Sequence, residues 1–322
     1  MLARIGSSPQ AWSTRRSVSG DRSHDGVRSS ILRIASILAV LLAVAGLFAV
    51  APSASADKIV FTRVDGRSGG LVVMRPDGNV VSVARGFVIS YYDLSLDGRR
   101  LVRSGGQVLV TPFTARDRLA VGRTRVLTRK NPGIWPRWSP NGQSVAGVRE
   151  VGGSSQVFVV RLGDGQARQL RTSVSMKFPS WSPDGRRIVA QGPRGLWVIN
   201  VATGAAREIL SFDTDNDSAS EPAWSPDGRW IAFTRGPRDS TDDPPDSELW
   251  RVRPDGSGLR QLTHLTGAAP VGPPAWSPDG RRLAFTMYTG GDNRPVATIR
   301  ANGSGLRVLT RRGFNYGVDW SR

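Results

Sequence analysis

Chemistry in this chain would have to rest on few residues. Outside residues 1–56, His264 is the only histidine, and the chain has no cysteine. A zinc centre of His and Cys ligands is therefore excluded, and a nucleophilic triad would have to use His264. Gly66-Arg67-Ser68-Gly69-Gly70 matches a nucleophile elbow formally. That motif needs a strand-to-helix turn in a parallel sheet, whereas here it links two short β-rich runs. Asp213, Asp215 and Asp217 alternate like the start of a calcium loop, with Glu221 just beyond. Ser218 stands where an EF-hand needs glycine and Trp224 where it needs glutamate, so that loop is ruled out. A solvated acidic loop is the expectation, with an irregular Ca²⁺ site as the alternative, and no other cofactor is expected. A phosphate-binding Gly-Lys-Ser/Thr phrase is absent.

The residues that could bind rather than react are set out by a repeat. Trp138-Ser139-Pro140-Asn141-Gly142, Trp181-Ser182-Pro183-Asp184-Gly185, Trp224-Ser225-Pro226-Asp227-Gly228 and Trp276-Ser277-Pro278-Asp279-Gly280 are four copies of one phrase. Leu94-Ser95-Leu96-Asp97-Gly98 is a degraded copy, and Trp320-Ser321 a truncated one. From Leu94 to Trp320 the steps are 44, 43, 43, 52 and 44 residues, the period of a propeller blade. Each phrase ends one strand at a Pro-Asp-Gly turn, where Pro fixes φ and Gly takes the left-handed position. Second strands follow in runs such as Arg187-Ile188-Val189-Ala190, third strands in runs such as Leu196-Trp197-Val198-Ile199, and fourth strands in runs such as Arg260-Gln261-Leu262-Thr263.

These phrases, with Ile231-Ala232-Phe233, Leu249-Trp250, Asp255-Gly256-Ser257-Gly258 and Arg260-Gln261-Leu262-Thr263, resemble the repeat of TolB-type β-propellers. The resemblance runs over residues 58–322 and implies an all-β domain of six four-stranded antiparallel blades. It extends to no N-terminal domain of the TolB kind. Only three β-rich runs precede Ala84, so Val318-Asp319-Trp320-Ser321 is expected to supply the missing strand, closing the ring between the chain ends and leaving no open edge.

In such a fold first strands line the axis. The column three residues before each repeat tryptophan reads Tyr91, Trp135, Phe178, Glu221, Pro273 and Gly317, with Lys177 and Tyr316 one position earlier. Turned inward, Tyr91, Trp135, Lys177, Phe178, Glu221 and Tyr316 would form an aromatic funnel with a few polar groups, a recognition pocket. The alternative is that the column packs between blades. On the opposite face, Arg99, Arg100, Arg186, Arg187, Arg229, Arg281 and Arg282 follow the Gly turns, which predicts a basic surface suited to anionic cell-wall polymer, lipid or an acidic partner.

The first 56 residues read as a targeting segment. Arg4, Arg15, Arg16, Arg22, Arg28 and Arg33 precede an uncharged stretch, 34–51, and Ala54-Ser55-Ala56 fits a cleavage site. Retention of 34–51 as a membrane anchor is the alternative. The 322-residue chain carries +18, and residues 57–322 alone carry +14. An exported chain makes nucleic acid a poor partner despite that charge. Together these features predict a monomeric, extracytoplasmic propeller that binds an envelope protein without catalysis. The alternatives are a carboxylate- or metal-dependent hydrolase or lyase at the channel mouth, and a cell-wall polymer binder.

Overall fold

The computed structural model describes residues 57–65, 68–85, 91–104, 108–115, 119–128, 134–212, 217–237 and 246–321. They form six antiparallel sheets, the blades of one propeller. Blade I joins the last strand to the first three, in the order Phe314–Ser321, Lys58–Asp65, Ser68–Met74, Val80–Arg85. Lys58 pairs with Ser321 and Ile59 with Trp320, so the ring closes between the chain ends, as the deficit of strands before Ala84 requires. Blade II holds Tyr92–Leu94, Arg100–Ser104, Val108–Ala115 and Leu119–Val121. It adds a fifth short strand, Arg125–Val126, which pairs with Val108–Ala115 beside the fourth. Blades III to VI each have four strands and start at Ile134, Lys177, Asp217 and Ala269.

The repeat phrase builds both the turn and the junction between blades. Gly185 N–H donates to Ser182 O at 2.9 Å, closing a turn with Pro183 at its second position and Gly185 at φ 68°. The Ser182 hydroxyl donates to Asp184 and accepts Arg187 N–H at 2.9 Å, while Asp184 also accepts Arg186 N–H at 3.0 Å. The degraded copy keeps this network through Ser95, Asp97 and Gly98, because serine, aspartate and glycine make the turn, and neither tryptophan nor proline is needed for it.

Tryptophan serves a different purpose. Each junction between neighbouring blades holds one apolar cluster containing a repeat residue: Leu94, Trp138, Trp181, Trp224, Trp276 or Trp320. All of these are less than a tenth exposed. Such burial removes large apolar surfaces from water at every period, which makes the ring continuous rather than a set of separate sheets. Arginines of the fourth strands add polar stitches between blades: Arg207 donates to Pro254 O at 3.1 Å and Arg307 to Asp77 O at 2.8 Å.

Candidate functional site

Where each blade begins, its first strand is bent by a bulge. Pairing with the second strand shifts between Lys177 and Ser180 in blade IV, between Ser220 and Ala223 in blade V, and at matching places in blades I, III and VI. Trp135, Phe178 and Glu221 sit at these bulges with φ of 53°, 51° and 54°, the only left-handed non-glycine residues among those described. Gly317 and Gly272 take the same conformation in blades I and VI. Pro136, Pro179 and Pro222 therefore lie inside strands rather than at their starts, and the extra residue before each proline is turned out of the ladder. A side chain in the left-handed region costs on the order of 1 kcal/mol, so three of them at one end of the channel mark where the fold holds unfavourable backbone.

The bulged residues gather at one mouth of the channel. Trp135 stands between Tyr91, edge-on at 5.8 Å between ring centroids, and Phe178, tilted at 4.2 Å. Phe314 and Tyr316 form a second edge-on pair at 6.0 Å. A cavity of about 870 Å³ opens there, lined by Tyr91, Tyr92, Glu221, Phe314 and Tyr316 together with Arg137 and Arg294. Trp135 and Phe178 flank this cavity through Tyr91 instead of lining it, and Lys177 is exposed outside it.

Beneath the mouth lie polar residues that sequence reasoning did not single out. They occupy the position immediately before the repeat residue: Asp93, Arg137, Ser180 and Asp319. Their side chains latch one blade to the next through its backbone. Asp319 accepts Leu94 N–H at 2.7 Å, Asp93 accepts Trp138 N–H at 2.6 Å, and Ser180 accepts Trp224 N–H at 3.0 Å. Arg137 donates to Tyr92 O at 3.1 Å and stands 3.8 Å from Asp93. Tyr92 and Arg137 line both the mouth and a second cavity of about 270 Å³ lower in the channel, so they form its waist.

The electrostatics follow from burial. Desolvation pushes Glu221 up to about 7, with Arg137 opposing weakly. It likewise lifts Asp93 to about 7, reinforced by the nearby charge of Asp319, whose own carboxyl is raised chiefly by burial. Glu221 makes no hydrogen bond or ion pair among the described residues.

The repeat and its geometry can be set beside known proteins. A family profile described as the TolB beta propeller domain matches residues 106–263. In structure the chain is similar to TolB from Acinetobacter baumannii, with a TM-score of 0.65 at 15% identity, over 82% of this chain and 66% of that one. The chain is a six-bladed β-propeller similar in fold to TolB. An uncharacterised protein of Agrobacterium fabrum is 30% identical over 188 residues, 52% of this chain and 59% of that relative's length. An oligogalacturonate lyase in complex with manganese shares the fold with a TM-score of 0.50 at 18% identity, covering 78% of this chain and 72% of the lyase.

Other residues of the TolB-like propeller fall away from the mouth. Arg99, Arg186, Arg229 and Arg281 are exposed on their turns, whereas Arg100, Arg187 and Arg282 are half-buried. Arg100 lies 4.6 Å over the Trp138 ring and Arg187 5.0 Å over that of Trp224; Arg282 donates to the Thr298 hydroxyl at 2.9 Å. Three of the seven arginines thus pack against other strands, and Arg100 and Arg187 do so across a blade junction. Asp217 is gripped by Arg235 at 3.0 and 2.7 Å, and Asp213 and Asp215 lie outside the described residues. No group of three His, Asp or Glu side chains among the described residues is gathered as metal ligands. His264 is exposed and accepts a hydrogen bond from Gln261 at 3.0 Å when its Nδ1 is unprotonated.

Proposed function

We propose that this TolB-like propeller is an exported protein-binding platform of the cell envelope, with the channel mouth as its binding surface and no catalysis of its own. The observation that carries this reading is the arc Tyr91–Trp135–Phe178, with Tyr316 across the mouth, held beside a cavity of about 870 Å³ by bulges that turn residues out of the ladder. Rigid aromatic surface around a concavity is what protein interfaces use as anchors. Export is supported by the arginine-rich start, the uncharged stretch 34–51 and Ala54-Ser55-Ala56, and the fold is one it shares with TolB. The test is crosslinking in intact cells from a photoreactive residue at 135 or 221, with captured species identified by mass spectrometry. One recurrent protein is expected; only small molecules or glycans would overturn the reading.

Two other readings each have an observation behind them. Buried carboxylates raised to about 7 beside a cavity suit general acid–base work, and a lyase shares the fold. Metal-dependent turnover of a polyuronate would favour that enzyme. On the basic side, a groove of about 700 Å³ is lined by Arg187, Arg207, Arg229 and Arg253, which suits an anionic cell-wall polymer. Reversing Arg186, Arg187, Arg281 and Arg282 to Glu should then abolish sedimentation with envelope material at low salt.

A further inference from the structure

The mouth cavity is acidic in a basic protein. The chain carries +18 overall, yet three carboxylates line the mouth, those of Asp65, Glu221 and Asp292, against the guanidiniums of Arg137 and Arg294. Both arginines have other contacts, and Arg137 reaches Glu221 as a charge and not through a hydrogen bond. Arg137 is engaged below by Asp93 and Tyr92 O, with Asp319 adding a further carboxylate at the same level, and the Arg294 guanidinium lies 4.1 Å from the centre of the Phe314 ring. Glu221 is the member of this set that projects from a left-handed bulge, where blades III and IV carry aromatic residues, and it makes no hydrogen bond or ion pair among the described residues, with Arg137 acting on it only as a nearby charge.

The walls complement that charge. Tyr91, Tyr92, Phe314 and Tyr316 line the same cavity, and Tyr91 is 45% exposed at the rim. Aromatic faces attract cations through the ring quadrupole, and an ammonium or guanidinium that also meets a carboxylate in a partly desolvated cavity gains from both. A neutral donor could hydrogen-bond Glu221 but would leave its charge uncompensated, and an anionic group would repel it. The tyrosine hydroxyls could hydrogen-bond many ligands; the unmatched carboxylate beside the rings singles out a cation.

We propose that the channel mouth captures a cationic side chain, a lysine ammonium or an arginine guanidinium, presented by the protein partner, with Glu221 as its counter-ion and the ring of Tyr91 packed against it. This inference rests on the mouth being the binding surface and specifies what that surface selects. The probes are Nα-acetyl-lysine amide and Nα-acetyl-arginine amide, with Nα-acetyl-norleucine amide as the neutral control, titrated into the full chain and followed by ligand-observed NMR. The cationic amides should bind at least tenfold more tightly than Nα-acetyl-norleucine amide. Glu221→Gln should erase that preference, and Tyr91→Ala should weaken it several-fold while thermal melting confirms that both variants fold.

Because Glu221 loses its proton near pH 7, cation binding should strengthen by roughly an order of magnitude from pH 6 to pH 8. The charged groups facing it are Arg137, Asp65, Asp292 and Arg294, with Asp93 and Asp319 below, so the same titrations on Glu221→Gln isolate its share. Equal binding of all three amides, no binding of the cationic two, or an unchanged preference in Glu221→Gln overturns the inference. The two proposals fail separately. A protein partner crosslinked with unchanged yield in Glu221→Gln overturns this one alone, whereas cation selectivity with no protein captured in cells overturns only the platform reading.

Discussion

Replacing Glu221 with glutamine should make the protein more stable at neutral pH and leave it unaffected in acid. Burial lifts this carboxyl from 4.5 to about 7 in the folded chain, while in the unfolded chain it returns to the ordinary value. Below pH 4.5 both states hold the proton and the group contributes no difference. As pH rises the unfolded chain releases its proton first, so the native state is penalised progressively until pH 7 and by a constant amount above it. At 1.36 kcal/mol per pH unit the full penalty is about 3 kcal/mol. For a domain of this size that corresponds to roughly 6–12 °C in melting temperature. Glutamine keeps the shape and the left-handed backbone but cannot ionise. Thermal melts of both proteins between pH 4 and pH 8.5, in matched ionic strength, should show a gap that opens between pH 4.5 and 7 in favour of Glu221→Gln. Asp93 and Asp319 titrate in both proteins and cancel in the difference. Parallel curves across that range would refute the argument, since they would mean that the carboxylate is solvated or already balanced at the mouth.

Other perturbations test the frame around the site. Ser182→Ala leaves the Arg187 N–H without its acceptor in a buried turn and should cost about 1–3 kcal/mol, whereas Ser257→Ala in an exposed turn should change stability by less than about 0.5 kcal/mol in the same unfolding titration. Gly303 and Gly290 have φ of 87° and 86°, but a Cβ at 303 would lie 2.9 Å from Leu262 O and one at 290 would meet nothing within 4 Å. Gly303→Ala should therefore lower the melting temperature well beyond Gly290→Ala, the two sharing the same backbone strain. Deleting residues 314–322 removes the partner of Lys58–Asp65 and strips Val318 and Trp320 from their cluster. It should yield a chain that self-associates through the bared edge, detected by sedimentation and a thioflavin signal.

The ring was legible because its repeat residues act locally and at each period. Serine, aspartate and glycine make a turn wherever they occur, and even Leu94 can stand in for tryptophan because the junction asks only for apolar bulk. The closing strand could be foreseen from Val318-Asp319-Trp320-Ser321, since an incomplete blade at one end needs a strand from the other. The fifth strand of blade II had no such signal, as Arg125–Val126 is two exposed residues. At the mouth, legibility stopped at the bulge. Alternation along a strand predicts which side chains share a face only while the ladder is regular, and one extra residue before each proline breaks that parity. Tyr91 and Glu221 could therefore be named in one column, with Tyr316 a position earlier, without knowing that they share a cavity that Trp135 and Phe178 only flank. Asp93, Arg137 and Asp319 share a cue of their own: each is a charged residue next to a repeat leucine or tryptophan that must be buried.

The pairing of Lys58 with Ser321 also governs when the molecule can finish folding. A ribosome makes the second strand of blade I near the start of the domain and its neighbour at the very end. The earliest sheet therefore waits with a bare edge until Phe314–Ser321 has been made. Equilibrium stability is little affected, since loop-closure entropy grows only with the logarithm of the spacing. Rate is another matter, because contacts this distant in sequence slow the search for the native state. A propeller fastened by the last of its strands stays an open arc until Phe314–Ser321 is available to pair, so the step that seals the ring is the last in the domain's assembly and not a property of any one blade.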